Sequence, residues 1–221
     1  MKINNSSVQN RSGKYLDFAN PAPDQFTIFD IASGLARECR FNGQTSKPYS
    51  VAQHSVLASL IVPKEHALAA LVHDGSEAMM RDISSPLKAM LRDYRVLERR
   101  IQQAIHEHVG LPAELDAEVE AIIKQADLKV FATERAQLMP TDGYEWPVTP
   151  ALEPLDFKIH CMDEKEAFYY FVDRYVSIIE DRPFIKERAL WQAQQNDWVM
   201  RQVAEDPPIE SLGDYARPRA A

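Results

Sequence analysis

The chain has 221 residues, of which 45% are hydrophobic and 26% are charged, a composition typical of a globular protein with one well-buried core. Its formal net charge of −8 argues against a general nucleic-acid-binding surface, because such surfaces neutralise phosphates with clustered Lys and Arg. No run approaches the roughly 20 apolar residues that span a bilayer, and the N-terminus has no apolar signal segment. With only two cysteines, we expect a reduced, cytoplasmic protein without nucleic-acid or membrane partners.

The long segments between Gly and Pro residues follow the 3.6-residue period of amphipathic helices. In chain order, the pattern predicts helices over residues 26–39, 51–62, 64–80, 86–108, 113–138, 162–180 and 185–204. Ser50 is a suitable N-cap for the second helix, and Val109-Gly110 ends the fourth. The two-residue alternation of exposed strands is almost absent, so the sequence predicts an all-α fold.

These helices predict a single domain in four parts. A helical core is expected over residues 12–140, followed by a connecting loop over residues 141–160. The helices of residues 161–206 are expected to pack on the same domain, and residues 207–221 form a polar tail. Aromatic residues at helical spacing between Phe168 and Tyr175 indicate core packing or an oligomer contact, and we expect a homo-oligomer.

Polar groups interrupt the apolar faces of three predicted helices. They are His54, the pair His73-Asp74, and Asp127. Each alone could be an ordinary buried group, a histidine bonded to a carbonyl or a carboxylate paired with a base such as Arg135 or Lys129. Together they favour a bound divalent ion, because a buried carboxylate needs a cation and helical bundles build metal sites from facing helices. Such N and O donors suit Co, Mn, Zn, Fe or Ni.

Longer motifs surround these four residues. They are RFNG at 40–43, SVAQH at 50–54, HDGSE at 73–77, D-x-x-x-P-x-K at 82–88 and AD at 126–127. Over residues 12–138 this set resembles the HD-domain metal-dependent phosphohydrolases, in the branch of the bacterial 5'-deoxynucleotidases and a phage dATP triphosphohydrolase. The resemblance implies an HD-domain helical bundle with additional C-terminal helices, and a hydrolase that cleaves phosphate esters of (deoxy)nucleotides.

The resemblance also implies roles for individual residues. His54, His73, Asp74 and Asp127 would be metal ligands, and Glu77 would hold and deprotonate the attacking water. The spacing of Glu77, four residues after His73, predicts the same face of one helix. The interval between His54 and His73 is shorter than in those enzymes, which predicts a tighter intervening turn.

Substrate contacts are implied on both sides of the metal ligands. Arg40 would bind phosphate, Asp82 would take the sugar hydroxyl, and Phe41 stands where those enzymes have Trp. Lys88 and Arg92 open a basic stripe whose further members are Arg95 and Arg99, at spacings that place all four on one side of a helix. The stripe could hold a polyphosphate tail, with a second ion such as Mg²⁺, or it could be a solvated face paired with Asp93, Glu98 and Glu38.

Three hypotheses follow for the function. We favour a nucleotide phosphohydrolase that uses metal-activated water, either a dNTP triphosphohydrolase or a 5'-nucleotidase. The alternative is a nucleotide-binding or sensing module that keeps the pocket without turnover. A structural all-α protein with salt-bridged acids is the third, and it predicts no bound metal.

Overall fold

The computed structural model describes residue 3, residues 5–140, residues 143, 144 and 146, and residues 152–184. Two short strands come first, β1 (Ser7–Gln9) and β2 (Tyr15–Asp17). Eight helices follow in chain order: α1 Ile28–Arg37, α2 Val51–Leu60, α3 Ala67–Leu71, α4 Glu77–Met80, α5 Ser85–Lys88, α6 Arg92–His108, α7 Ala117–Leu138 and α8 Glu164–Ile179. The described chain is therefore mostly helical, as predicted. The predicted helix 185–204 and the tail 207–221 lie outside these residues.

Helix α2 lies at the centre of the packing. It contacts α1, α3, α7 and α8, and most of its side chains are buried, including polar ones. The Ser50 hydroxyl accepts a hydrogen bond from the Gln53 backbone N–H at 3.2 Å, which confirms the predicted N-cap. The largest group of buried apolar side chains joins α1, α2 and α8, with Ile31, Val56 and Phe171 among its fully buried members. A polar residue on the inner face of α2 is therefore shielded from solvent.

The N-terminal hairpin was not predicted. Its strands pair antiparallel, with Val8 opposite Leu16, and only Leu16 is fully buried. Three residues a strand are too few to show the two-residue alternation by which a strand is identified in sequence. The Ser12 backbone N–H and hydroxyl each donate to Asp30 of α1 at 2.7 Å, which ties the hairpin to the helical body.

The predicted helix over residues 64–80 is two helices, α3 and α4, separated by tight turns over residues 72–76. Close packing accompanies this interruption. A Cβ atom on Gly75 would lie 2.9 Å from the Val72 carbonyl oxygen and 3.0 Å from Ile105 Cγ2. His73 and Asp74 thus occupy a turn, and the prediction that Glu77 shares a helix face with His73 is wrong.

The predicted helix over residues 86–108 is also divided, because α5 ends at Lys88 and α6 begins at Arg92. The four basic residues therefore do not share one helix. Helix α7 begins at Ala117, four residues later than predicted, after the N-cap Asp116. No helix in the described part of the chain is long and apolar enough to cross a membrane.

Candidate metal centre

Three structural elements bring the predicted metal ligands together. His54 lies on α2, His73 and Asp74 lie in the turn between α3 and α4, and Asp127 lies on α7. The Nε2 atom of His54 is 3.4 Å from Nε2 of His73, 3.7 Å from Asp74 Oδ2 and 3.3 Å from Asp127 Oδ1. Each of the first three residues offers a ligand atom within 4.8 Å of the others.

The two carboxylate oxygens of Asp127 face different partners. Its Oδ1 atom faces the two histidines, at 3.3 Å from His54 Nε2 and 4.0 Å from His73 Nε2. Its Oδ2 atom accepts from Lys124 Nζ at 2.7 Å, so the basic partner is Lys124 and not Lys129. One carboxylate oxygen is therefore directed to the candidate metal centre while the other is held near the surface.

Both histidines present Nε2 to the centre because Nδ1 is engaged elsewhere. Nδ1 of His54 lies 2.7 Å from Glu134 Oε1, and Nδ1 of His73 lies 2.8 Å from the carbonyl oxygen of Ala70. Since both oxygens are acceptors, each Nδ1 carries a proton, and in the neutral imidazole Nε2 is left as the electron-pair donor. Two imidazole nitrogens and carboxylate oxygens fit a divalent transition ion.

Electrostatic coupling within this group shifts its pKa values. Burial alone would raise the pKa of Asp74, but the neighbouring imidazoles of His73 and His54 lower it well below its usual value. The His54 pKa is raised to about 9, because Glu134 and Asp127 outweigh the lowering effects of burial and Arg40. The carboxylates are thus held ionised beside a cationic imidazole, and a metal cation would supply that positive charge instead.

Glu77, the predicted base, is buried at the start of α4. Its Oε1 atom is 3.7 Å from Lys88 Nζ, and its Oε2 atom is buried with no hydrogen-bond partner among the described residues. Burial, followed by the charges of Asp74 and Asp82, raises the Glu77 pKa well above its usual value. A buried carboxyl group with a free oxygen and a raised pKa is typical of a residue that exchanges protons.

Arg40 is buried and lies between two carboxylates. Its Nε atom donates to Glu134 Oε2 at 3.0 Å, and one terminal nitrogen lies 3.5 Å from Asp74 Oδ2. Burial opposes its charge, but Glu134 and Asp74 outweigh this effect and raise the Arg40 pKa. Glu134 is the main site residue that the sequence interpretation missed, although its place seven residues after Asp127 puts it on the same side of α7.

Aromatic rings adjoin Arg40. Phe41 has a φ of 54° and stacks on Phe131, with ring centroids 5.2 Å apart and planes at 19°. Trp146 lies 6.3 Å from Phe41 and 5.8 Å from Phe131, measured between ring centroids. Phe131 and Trp146 were not predicted as neighbours of the site, because neither is near Phe41 in sequence.

A cavity of about 300 Å³ extends from His73 and Glu77 along α6. Lys88 lines it and donates to Glu98 at 2.6 Å, and Arg99 donates to Glu114 at 2.7 Å. Arg95 also lines it and has no carboxylate partner among the described residues.

The last two predicted substrate contacts are not on the cavity wall. Arg92 is exposed and is not among the residues that line the cavity. Asp82 is half-buried, and its backbone N–H lies 3.3 Å from Glu38 Oε1. Burial and the charge of Asp74 raise the Asp82 pKa against the opposing effects of Arg40 and Lys88, so Asp82 lies within electrostatic reach of the centre.

Comparison with known proteins places the chain in a family. Over 178 residues it is 39% identical to the uncharacterized protein YfdR of Escherichia coli K12, a match that covers 80% of this chain and 98% of YfdR. The chain belongs to the YfdR family. A further relative, the uncharacterized protein RCAP_rcc00048 of Rhodobacter capsulatus, is 39% identical over 137 residues, 58% of this chain and 70% of that protein. No family model matches the chain, so the chemistry of this YfdR-family site rests on its own geometry.

Proposed function

We propose that the chain is a divalent-metal-dependent phosphohydrolase that cleaves phosphate esters of (deoxy)nucleotides. One observation carries the proposal: His54 Nε2, His73 Nε2 and Asp74 Oδ2 converge. Beside them, the buried Oε2 of Glu77 has no partner among the described residues. A metal-ligand set next to a buried proton acceptor is the arrangement that hydrolysis by metal-activated water requires.

The ligand set consists of His54, His73 and Asp74, with Asp127 as the fourth member. Its nitrogen and oxygen donors suit Co, Mn, Zn, Fe or Ni. When bound, such an ion polarises a phosphoryl oxygen and lowers the pKa of water. The hydrogen bonds at the Nδ1 atoms keep both imidazoles oriented for this role.

The protein side chains supply the remaining chemistry. Glu77 accepts a proton from the attacking water at Oε2, and the burial and neighbouring carboxylates that raise its pKa make it a stronger base than an exposed carboxylate. The terminal nitrogens of Arg40 and the ammonium group of Lys88 stabilise negative charge on the phosphoryl oxygens. Asp82 and Phe41 are the proposed contacts to the sugar.

The charge of the cavity favours a substrate with one phosphate. Five acidic side chains line it against three basic ones, Lys88, Arg95 and Arg99. Lys88 and Arg99 already pair with Glu98 and Glu114. A triphosphate tail would meet carboxylates along most of this wall, so a 5'-nucleotidase is favoured over a dNTP triphosphohydrolase. A second ion such as Mg²⁺ belongs to the triphosphate alternative, whose charge it would neutralise.

The sensing module remains the competing proposal. It would keep the nucleotide and the metal and would lack turnover. The buried Glu77 carboxyl favours the enzyme, because a pure binding module gains nothing from a buried carboxylate oxygen, Oε2, that has no hydrogen-bond partner among the described residues. The expected homo-oligomer stays a prediction.

Product analysis tests this proposal. Metal-reconstituted protein is incubated with dAMP and, in parallel, with dATP, alongside chelator-treated protein. Orthophosphate and deoxyadenosine from dAMP are expected. Tripolyphosphate from dATP would instead establish the triphosphohydrolase. Bound nucleotide without any product, across several nucleotides and metals, would favour the sensing module.

A further inference from the structure

One buried carboxylate connects the metal ligands to the candidate phosphate-binding side chain. Glu134 of α7 is fully buried. Its Oε1 atom lies 2.7 Å from His54 Nδ1, and its Oε2 atom accepts from Arg40 Nε at 3.0 Å. Each oxygen thus serves a different residue of the site, on a different element of the chain.

The contact with His54 determines which ring nitrogen faces the centre. A neutral imidazole has two tautomers, and the partner of one nitrogen decides which is present. A carboxylate can only accept a hydrogen bond, so Glu134 keeps the proton of His54 on Nδ1. Both oxygens of Glu134 face nitrogen atoms, Nδ1 of His54 and Nε of Arg40, so both act as acceptors.

The contact with Arg40 orients its guanidinium group. Because Nε donates to Glu134, the terminal nitrogens remain for other partners, and one of them lies 3.5 Å from Asp74 Oδ2. A planar guanidinium held at one edge has little freedom to turn. The same carboxylate therefore fixes Arg40 relative to the ring of His54.

We propose that Glu134 is a positioning residue that sets the tautomer of His54 and the orientation of Arg40. It acts through these two side chains and does not touch the substrate. The proposal rests on the proposed function in one respect, since it requires His54 to bind a metal through Nε2. It predicts that Glu134 contributes to metal affinity as a hydrogen-bond acceptor for His54, apart from its charge pairing with Arg40.

Two double variants separate positioning from simple charge pairing. In Arg40→Gln/Glu134→Gln both buried charges are removed, but an amide oxygen can still accept from His54 Nδ1. In Arg40→Met/Glu134→Leu both charges are also removed, and no acceptor remains. Neither variant leaves an uncompensated buried charge, which would strongly destabilise the fold.

Affinity for Zn²⁺ is measured by competition with a chromophoric chelator, and thermal unfolding confirms that each metal-free variant folds. The Gln/Gln variant should bind close to wild type, and the Met/Leu variant about 10- to 100-fold more weakly. Equal affinity of the Met/Leu variant and wild type would overturn the proposal. So would an equal loss in both variants, since the acceptor would then be irrelevant.

Nitrogen-15 NMR of the zinc-loaded wild-type protein gives a test that does not depend on any variant. His54 should be protonated at Nδ1 and metal-bound at Nε2, and the opposite assignment would overturn the proposal. Failure of the proposed function is distinguishable: protein that binds zinc through His54 Nε2 without hydrolysing any nucleotide contradicts the enzyme and leaves the role of Glu134 intact. A wild-type protein that binds no metal contradicts both.

Discussion

The two sides of the candidate metal centre hold ion pairs of very different kinds. On the α7 side, Arg40 and Glu134 meet at 3.0 Å, with side chains that are 9% and 0% exposed. On the α6 side, Arg99 and Glu114 meet at 2.7 Å, with side chains that are 70% and 63% exposed. The shorter contact is the weaker one, because water screens exposed charges and the long side chains lose entropy when they pair.

This difference indicates a division of tasks. The buried pair cannot be broken without leaving a charge in a nonaqueous environment, so it holds His54 and Arg40 in place. The exposed Arg99–Glu114 pair can exchange partners at little cost, so it contributes little to the position of the site residues. Glu77 lies between the two sides, buried but facing the cavity.

The largest effect is expected for Glu77→Gln. The amide cannot accept the proton of the attacking water, so kcat should fall by about 10²- to 10⁴-fold. Metal content should stay at the wild-type value, because Glu77 is not a member of the ligand set. Release of phosphate from dAMP and metal analysis of the same sample check this. Undiminished turnover would remove Glu77 from the proposed role.

Arg40→Met alone should destabilise the protein strongly. It leaves the carboxylate of Glu134 buried without its guanidinium partner, a change that typically costs about 3–5 kcal/mol. For a chain of this size the melting temperature should fall on the order of 10 °C. The matched control is Arg40→Met/Glu134→Leu, which removes both charges and should recover most of the loss. If the single variant melts like wild type, the buried Arg40–Glu134 pair does not contribute more to stability than the exposed Arg99–Glu114 pair.

Gly34→Ala should weaken the packing of α1 against α4, the helix that begins at Glu77. A Cβ atom at Gly34 of α1 would lie 2.4 Å from the carbonyl oxygen of Ala78 in α4, and backbone cannot move aside as a flexible side chain can. Overpacking of this kind costs about 1–3 kcal/mol. Urea unfolding at fixed pH measures it. An unchanged midpoint would show that α1 and α4 are less closely packed than this structure has them.

The smallest effect is expected for Arg99→Gln. The pair with Glu114 is exposed, so the free energy of unfolding should change by no more than about 0.5 kcal/mol. Urea unfolding of this variant and of Arg40→Met under the same conditions makes the comparison direct. A loss of unfolding free energy as large as that of Arg40→Met would mean that solvent exposure does not determine how much each ion pair contributes to stability.

Helical periodicity predicted the main body because its helices are long and apolar on one face. Helices α1, α2 and α8 begin and end within two residues of the predicted bounds. The interruption at residues 72–76 was not predictable, since the apolar spacing continues through it and only the packing of Gly75 against Ile105 reveals it. The hairpin was missed because three-residue strands carry no measurable alternation.

The candidate site was predictable to the extent that its residues lie in recognisable motifs. His54, His73, Asp74 and Asp127 converge as expected, although the helix-face argument for Glu77 was wrong. Glu134 was missed because a carboxylate on a long helix is usually solvated, and only its tertiary contacts identify it as buried. Glu98 was predicted as one of the candidate partners of the basic stripe, but its pairing with Lys88 in particular depends on the break between α5 and α6, which the sequence did not show.

The central claim is that this chain binds one divalent transition ion through His54, His73 and Asp74. The most direct test is a titration of metal-free protein with Mn²⁺ or Co²⁺, followed by calorimetry and by thermal unfolding with and without chelator. His73→Ala is compared with His66→Ala, a histidine that belongs to no candidate ligand group in the described chain. We predict one ion per chain and a metal-dependent rise in melting temperature for wild type and His66→Ala, with both abolished or greatly weakened in His73→Ala. Absence of binding in the wild type, or equal binding by His73→Ala, would contradict the account.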